Sequence, residues 1–156
     1  MLRVGDKAPE FETIDELGQP FKLMDHLGKR IVVYFYSNED TSHSHSFRNS
    51  YHVFEDAGIP VVGISGGSRE SHRRFKEDNL INFPLLMDED YTISKMYDAF
   101  SLIETEGRRE YLIKRITFLI GGDGSIEAIF DEAESMDKSS SRKHANQILE
   151  HWGLKL

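Results

Sequence analysis

The residues able to do chemistry are crowded into positions 37–46, SNEDTSHSHS. Thr41 and Ser44 bring hydroxyls, Asp40 a carboxylate, and His43 and His45 two imidazoles two residues apart. Histidines at i and i+2 on an extended chain point the same way and suit zinc or copper; His52 lies two helical turns on, and Asp40 and His26 are the further candidate ligands, neither securely within reach. The plainer reading of loop histidines is that water solvates them, and no metal or cofactor is assigned. Ser44, a histidine and Asp40 also supply the residue types of a hydrolase triad. No G-x-S-x-G elbow surrounds the serine, however, and residues two apart rarely build base–nucleophile geometry. The chain contains no cysteine, which excludes disulfides, thiolate catalysis and cysteine-ligated zinc.

The elements around this segment explain how it is presented. Positions 31–36, IVVYFY, are β-branched and aromatic with no polar alternation, so they read as a central strand buried on both faces. Phe47, Tyr51 and Phe54 fall at i, i+4 and i+7, one face of a helix from about Phe47 that Gly58 closes. A strand delivering a loop to a helix N-terminus gathers unpaired N–H groups and partial positive charge, a setting for anions and nucleophiles.

Along the rest of the chain, 11–14 and 20–22 predict an N-terminal β-hairpin and 23–27 one helical turn. Positions 60–65 predict a second buried strand. Gly66-Gly67-Ser68 reads as a turn and N-cap for a helix over 69–79; a phosphate cradle is disfavoured because no lysine follows at P-loop spacing. A short run at 83–87, a short helix at 91–97 and two strands joined by Gly121-Gly122-Asp123-Gly124 follow. The charged stretch within 101–114 reads as a solvated loop. Ser139-Ser140-Ser141 offers an N-cap to a last helix carrying Ala145, Ile148, Leu149 and Trp152 on one face. Alternating strands and helices imply an α/β domain with a central mixed sheet and helices on both faces.

At 156 residues the chain fits one domain, 1–156, with a sizeable core. Hydrophobic content of 38% and charged content of 29% read as globular. No apolar run approaches a membrane span and no targeting segment is evident, so membrane association is not expected and the cytoplasm is the default setting. A net charge of −8 argues against nucleic acid as a partner.

Three stretches carry a family resemblance. The opening VGDKAPEF, the segment SRESHRRFKEDNLINFPLLMDED and the strand KRITFLIGGDGSI resemble the peroxiredoxins, in particular the bacterioferritin-comigratory subgroup, over nearly the whole chain. The resemblance implies a thioredoxin-like fold of peroxiredoxin type. In that family a strand like YFY runs into P-x-x-x-T-P-x-C, whose cysteine attacks peroxide. Here Thr41 matches the peroxide-binding threonine, Ser44 the peroxidatic cysteine, Ser42 the shielding proline, and Arg115 the arginine that stabilises the thiolate. The resolving cysteine has no counterpart. Where the family typically has six residues between the cysteine and the F-R pair, only His45 and Ser46 precede Phe47-Arg48. The missing four residues amount to about one helical turn of 3.6, which keeps Phe47, Tyr51 and Phe54 nearly in phase.

A serine in this place lacks what the family reaction needs. A helix N-terminus and an arginine bring a thiol into its working range, but an alcohol starts many units higher and has no sulfenic state to pass on. The resemblance thus implies an oxidoreductase scaffold of antioxidant type, without the reactive thiol: a protein that does not act as a thiol peroxidase and keeps at most a peroxide or oxyanion pocket at Thr41, Ser44 and Arg115. The alternatives are a thiol peroxidase represented by a Cys-to-Ser variant, and a metal-binding or partner-recognition protein using the His43/His45 loop. A homodimer is the oligomer the resemblance suggests.

Overall fold

The computed structural model describes residues 2–36, 42–131 and 144–154. The N-terminal hairpin pairs β1 (Glu12–Ile14) with β2 (Pro20–Lys22), and a 3-10 turn (Leu23–His26) follows. Then come β3 (Ile31–Phe35), α1 (Ser42–Asp56), β4 (Val61–Ser65), α2 (Arg69–Asn79), β5 (Leu85–Met87) and α3 (Thr92–Met96). The chain continues through β6 (Phe100–Thr105), β7 (Arg108–Ile113), β8 (Ile116–Ile120) and β9 (Ile126–Asp131) to α4 (His144–His151).

The main sheet has the order β5-β4-β3-β8-β9. β3, β4 and β5 run parallel, whereas β8 is antiparallel to both β3 and β9. β3 lies in the middle, and all five of its residues are buried, as an unbroken apolar run requires. Its side chains alternate between two cores. Val32 and Tyr34 pack, with Tyr36 just beyond the strand, against Phe47 and Phe54 of α1, Phe75 of α2 and Ala145, Ile148, Leu149 and Trp152. Ile31, Val33 and Phe35 pack on the opposite face with Phe11, Leu23, Ile93 and Tyr97. Helices therefore cover both faces, giving the α/β layering expected from the strand–helix alternation and the thioredoxin-like architecture that the resemblance implies.

Two sequence expectations are corrected. α1 begins at Ser42 rather than near Phe47, so polar residues that read as loop form its first turn. The stretch 101–114 is mostly a two-stranded sheet, β6 with β7, not a solvated loop. Thr105 pairs with Arg108 across Glu106-Gly107, both with positive φ (44° and 80°). This two-residue turn matches the twist of the strands it joins. Exposed charge hid the hairpin, because a sheet packed on itself needs no apolar alternation to be seen from the core. The serines proposed to cap α4 lie outside the described residues.

α2 follows the sequence reading residue for residue. Ser68 is its N-cap, with Oγ accepting from Ser71 N at 3.1 Å. The hairpin turn is anchored unexpectedly: Glu16 is buried, its carboxylate accepting from Lys76 Nζ of α2 and from Leu85 N of β5 at 3.1 Å.

Candidate functional site

β3 ends at a junction that the helix-facing core closes from below. Tyr36 N still donates to Ile64 O at 3.1 Å, holding the chain on the sheet one residue past the strand. Thr41 and Asp40 lie outside the described residues. Ser44, the third residue of α1, is fully buried, and its hydroxyl is hydrogen-bonded to the Tyr34 hydroxyl, which is also buried. A buried tyrosine needs such a partner for its polar end. The Ser44 hydroxyl therefore points into the sheet and is occupied there.

Arg115 immediately precedes β8 and is half-buried. The last β3–β8 pair is Tyr34 with Thr117. The register puts Thr117 on the sheet face that carries Tyr34; Arg115 lies two residues before it, outside the strand, and is engaged in an interaction of its own. Ser44's direct partner is thus Tyr34.

The neighbouring polar residues are tied into the framework. Ser46 Oγ accepts from Ala145 N at 2.9 Å, satisfying an otherwise free N–H in the first turn of α4. Asn79 donates from Nδ2 to Phe75 O at 3.0 Å, leaving its Oδ1 to accept from His45 Nε2 at 3.0 Å. Arg48 Nη1 donates to Asn79 O at 2.8 Å, and Asn82 Nδ2 donates to Arg48 O at 3.2 Å. The N-terminal half of α1 is thereby fastened to the C-terminal end of α2.

These contacts correct the premise of a histidine loop. His43 and His45 sit in helical backbone, where residues two apart are about 200° apart around the axis at 3.6 residues per turn. Among the described residues no group of three His, Asp, Glu or Cys could hold a metal.

Sequence reasoning missed a second buried polar cluster beside the junction. Tyr36 Oη is 2.8 Å from His72 Nδ1, and His72 Nε2 is 3.0 Å from Gly66 O. The carbonyl can only accept, so Nε2 carries the proton and Nδ1 accepts from the tyrosine. Burial holds His72 below the usual histidine range, opposed by the Gly66 and Ser65 carbonyls and by Glu16 and Glu89. Burial also pushes the Tyr36 phenol well above its ordinary value. The signal was a Tyr-x-Tyr pair in an otherwise apolar buried strand, since each hydroxyl demands a partner.

Two surface clefts, of about 630 and 260 Å³, are lined by described residues, and neither includes Ser44 or Arg115. The larger is bordered by Glu10, Glu12, Asp88, Glu89 and Asp90 beside Arg69. Its most buried carboxylate, Asp88, is already used: it accepts from Ile93 N at 2.9 Å and Ser94 N at 2.8 Å, fixing the start of α3. No helix among the described residues is long and apolar enough to cross a membrane.

Comparison with known proteins places this arrangement. The chain is 36% identical over 135 residues to peroxiredoxin Bcp of Escherichia coli, covering 84% of this chain and 86% of the relative. It is 33% identical over 129 residues to peroxiredoxin Bcp of Bacillus subtilis, covering 80% and 82%. Among solved structures, peroxidoxin BcpB of Mycobacterium tuberculosis superposes with a TM-score of 0.79 at 25% identity, covering 96% of this chain and 95% of the other. Bacterioferritin comigratory protein of Xanthomonas campestris gives 0.77 at 24% identity, covering 90% and 88%. The AhpC/TSA family matches residues 4–129, and with these relatives the chain belongs to that family, among the Bcp-like peroxiredoxins, as a member that carries no cysteine.

Proposed function

We propose that this chain is a single-domain, cytoplasmic peroxiredoxin-family protein that does not reduce peroxide through a thiol and works as a binding module. The observation that supports this reading is at Ser44, which the resemblance sets at the reactive position: its hydroxyl is fully buried and hydrogen-bonded to Tyr34. Thiol peroxidase turnover needs a sulfur that attacks one peroxide oxygen, becomes a sulfenic acid and is then reduced. Ser44 oxygen has no equivalent oxidation step, and the packing gives it no open approach. The ligand class for such a module is a small oxyanion or peroxide held by Thr41, the backbone N–H of Ser44 and Arg115; a homodimer is the assembly the family suggests.

The test is hydroperoxide consumption with dithiothreitol and with a thioredoxin system. The chain should consume none above the protein-free rate. Ser44→Cys should add little, since burial raises a thiol's pKa and opposes the helix N-terminus. Turnover by the unaltered, metal-free chain would refute the reading. Strong turnover restored by Ser44→Cys alone would show that a working peroxidase pocket persists and that only the sulfur is lacking.

A further inference from the structure

The smaller cleft lies at the opposite end of β3 from Ser44. Its base is the Ile31–Ile120 pair, the ladder position farthest from α1. One wall is the turn that carries Leu23, Met24 and Leu27; the other is the β8–β9 turn at Gly121, Asp123 and Gly124. Backbone bonds fix the two walls: Gly28 N donates to Gly122 O at 2.8 Å and Ala8 N to Gly124 O at 2.9 Å. At Gly122 a Cβ would come within 3.3 Å of the Gly28 backbone, so the walls meet as closely as glycine allows.

The lining is apolar while two of its large side chains face water: Met24 is 51% exposed and Leu27 61%. At the rim, the two carboxylates are already occupied. Glu10 Oε1 accepts from Met24 N at 2.9 Å, and Asp123 Oδ1 accepts from Ser125 N at 2.9 Å. The two ammonium groups are not: neither Lys7 nor Lys29 has a side-chain hydrogen bond or ion pair among the described residues. His26, stacked on Phe21 at 5.0 Å, also lines the cleft, and burial holds it below the usual histidine range, with Asp25 opposing and Lys29 adding to that effect. The rim thus sets two uncommitted ammonium groups over an apolar hollow, beside two carboxylates that keep their charge but are turned to backbone N–H groups. At about 260 Å³ the space falls just below the usual range for drug-sized ligands, about 300–1,000 Å³.

We propose that this cleft binds a small monocarboxylate with an apolar tail, the tail on Leu23, Leu27, Ile31 and Ile120 and the carboxylate at Lys7 and Lys29. Apolar enclosure supplies the affinity, and the lysines select the anion over a neutral amphiphile. The chain's net charge of −8 disfavours anions over most of the surface; here Lys7 and Lys29 offset the Glu10 and Asp123 carboxylates, so selection of the anion rests on direct contact with the two ammonium groups.

The experiment is an NMR titration of the full chain with sodium octanoate, and in parallel with 1-octanol, at neutral pH. Saturable shifts should centre on the amides of Leu23, Met24, Leu27 and Ile120. Octanol should bind about fivefold more weakly, the effect of losing one partly exposed charge pair. The double substitution Lys7→Gln, Lys29→Gln should erase that preference and leave octanol binding unchanged. Equal affinity for the two ligands, or no saturable shift at the cleft, would overturn the proposal. So would capture on oleate-bearing vesicles without a response to free octanoate, which would give the face to a lipid surface. Ligand-free, concentration-dependent shifts at the same residues would give it to a second copy of the chain and overturn it as well.

Discussion

If Ser44 is a structural group, its energy must be coupled to that of Tyr34. The two hydroxyls are buried and bonded to each other across the joint between α1 and β3. Tyr34→Phe leaves the Ser44 hydroxyl in a dry site, a loss of about 1–3 kcal/mol. Ser44→Ala leaves the Tyr34 hydroxyl behind. Tyr34 has a further interaction, and alanine gains a few tenths of a kcal/mol in a helix, so this change should cost only about 1 kcal/mol. The double variant abandons neither group and should cost clearly less than the sum. The expected coupling is about 1–1.5 kcal/mol, the net worth of a buried hydrogen bond. Urea denaturation of the four proteins at a common m-value measures it, and each kcal/mol should move Tm by about 2–4 °C in a chain of this size. Helix propensity and the other Tyr34 contact cancel in the cycle. A coupling below about 0.5 kcal/mol would mean that the hydroxyls act independently. Ser44 would then be free to serve a ligand, and the structural reading of the site would fail.

Two further perturbations probe the surroundings. His72 is held neutral by burial, so its folded pKa lies below the unfolded value near 6.5. Its contribution to stability is complete above that value and declines as pH falls through it, because the unfolded chain takes up the proton first. Urea midpoints measured from pH 7.5 to 5.5 should fall toward acid, and His72→Gln should flatten that slope relative to the parent; an unchanged slope would remove His72 from the effect. Lys76→Met strips the ammonium from Glu16, whose side chain is 3% exposed while that of Lys76 is 30% exposed. Breaking a fully buried pair costs about 3–5 kcal/mol; the water reaching Lys76 discounts this to about 2–3 kcal/mol. Glu16→Gln with Lys76→Met should recover part of the loss, as the same urea titrations will show.

Much of the scaffold could be read from the residues, and the reasons are local. β3 is visible because both its faces are apolar; α2 is visible because Ser68 caps it and His72 and Phe75 mark its inner side. The misses share a different cause. Glu16 belongs to a turn whose composition promises exposure, yet α2 and β5 close over it from about 60 residues away. β6 and β7 pair with each other outside the main sheet, leaving only the Glu106-Gly107 turn as a sequence signal. The start of α1 is not legible because serine and histidine sit in the middle of the helix-propensity scale, and the bond from Ser44 to Tyr34 that accompanies the extra turn is a tertiary contact no local pattern encodes.

That same anchoring explains how the fold persists without the family's sulfur. Phe47 and Phe54 are buried in the core and fix the inner face of α1. The polar residues left near the helix start must then find partners. Ser44 takes Tyr34, Ser46 takes the backbone of α4, and His45 takes Asn79. Each bond spans two elements of the sheet-facing layer and holds in place atoms that a reactive centre would have to keep free. Stability and chemistry compete for the same few side chains here. A cysteine placed at Ser44 would meet the same constraint: Tyr34 would have to release the position before a sulfur there could react.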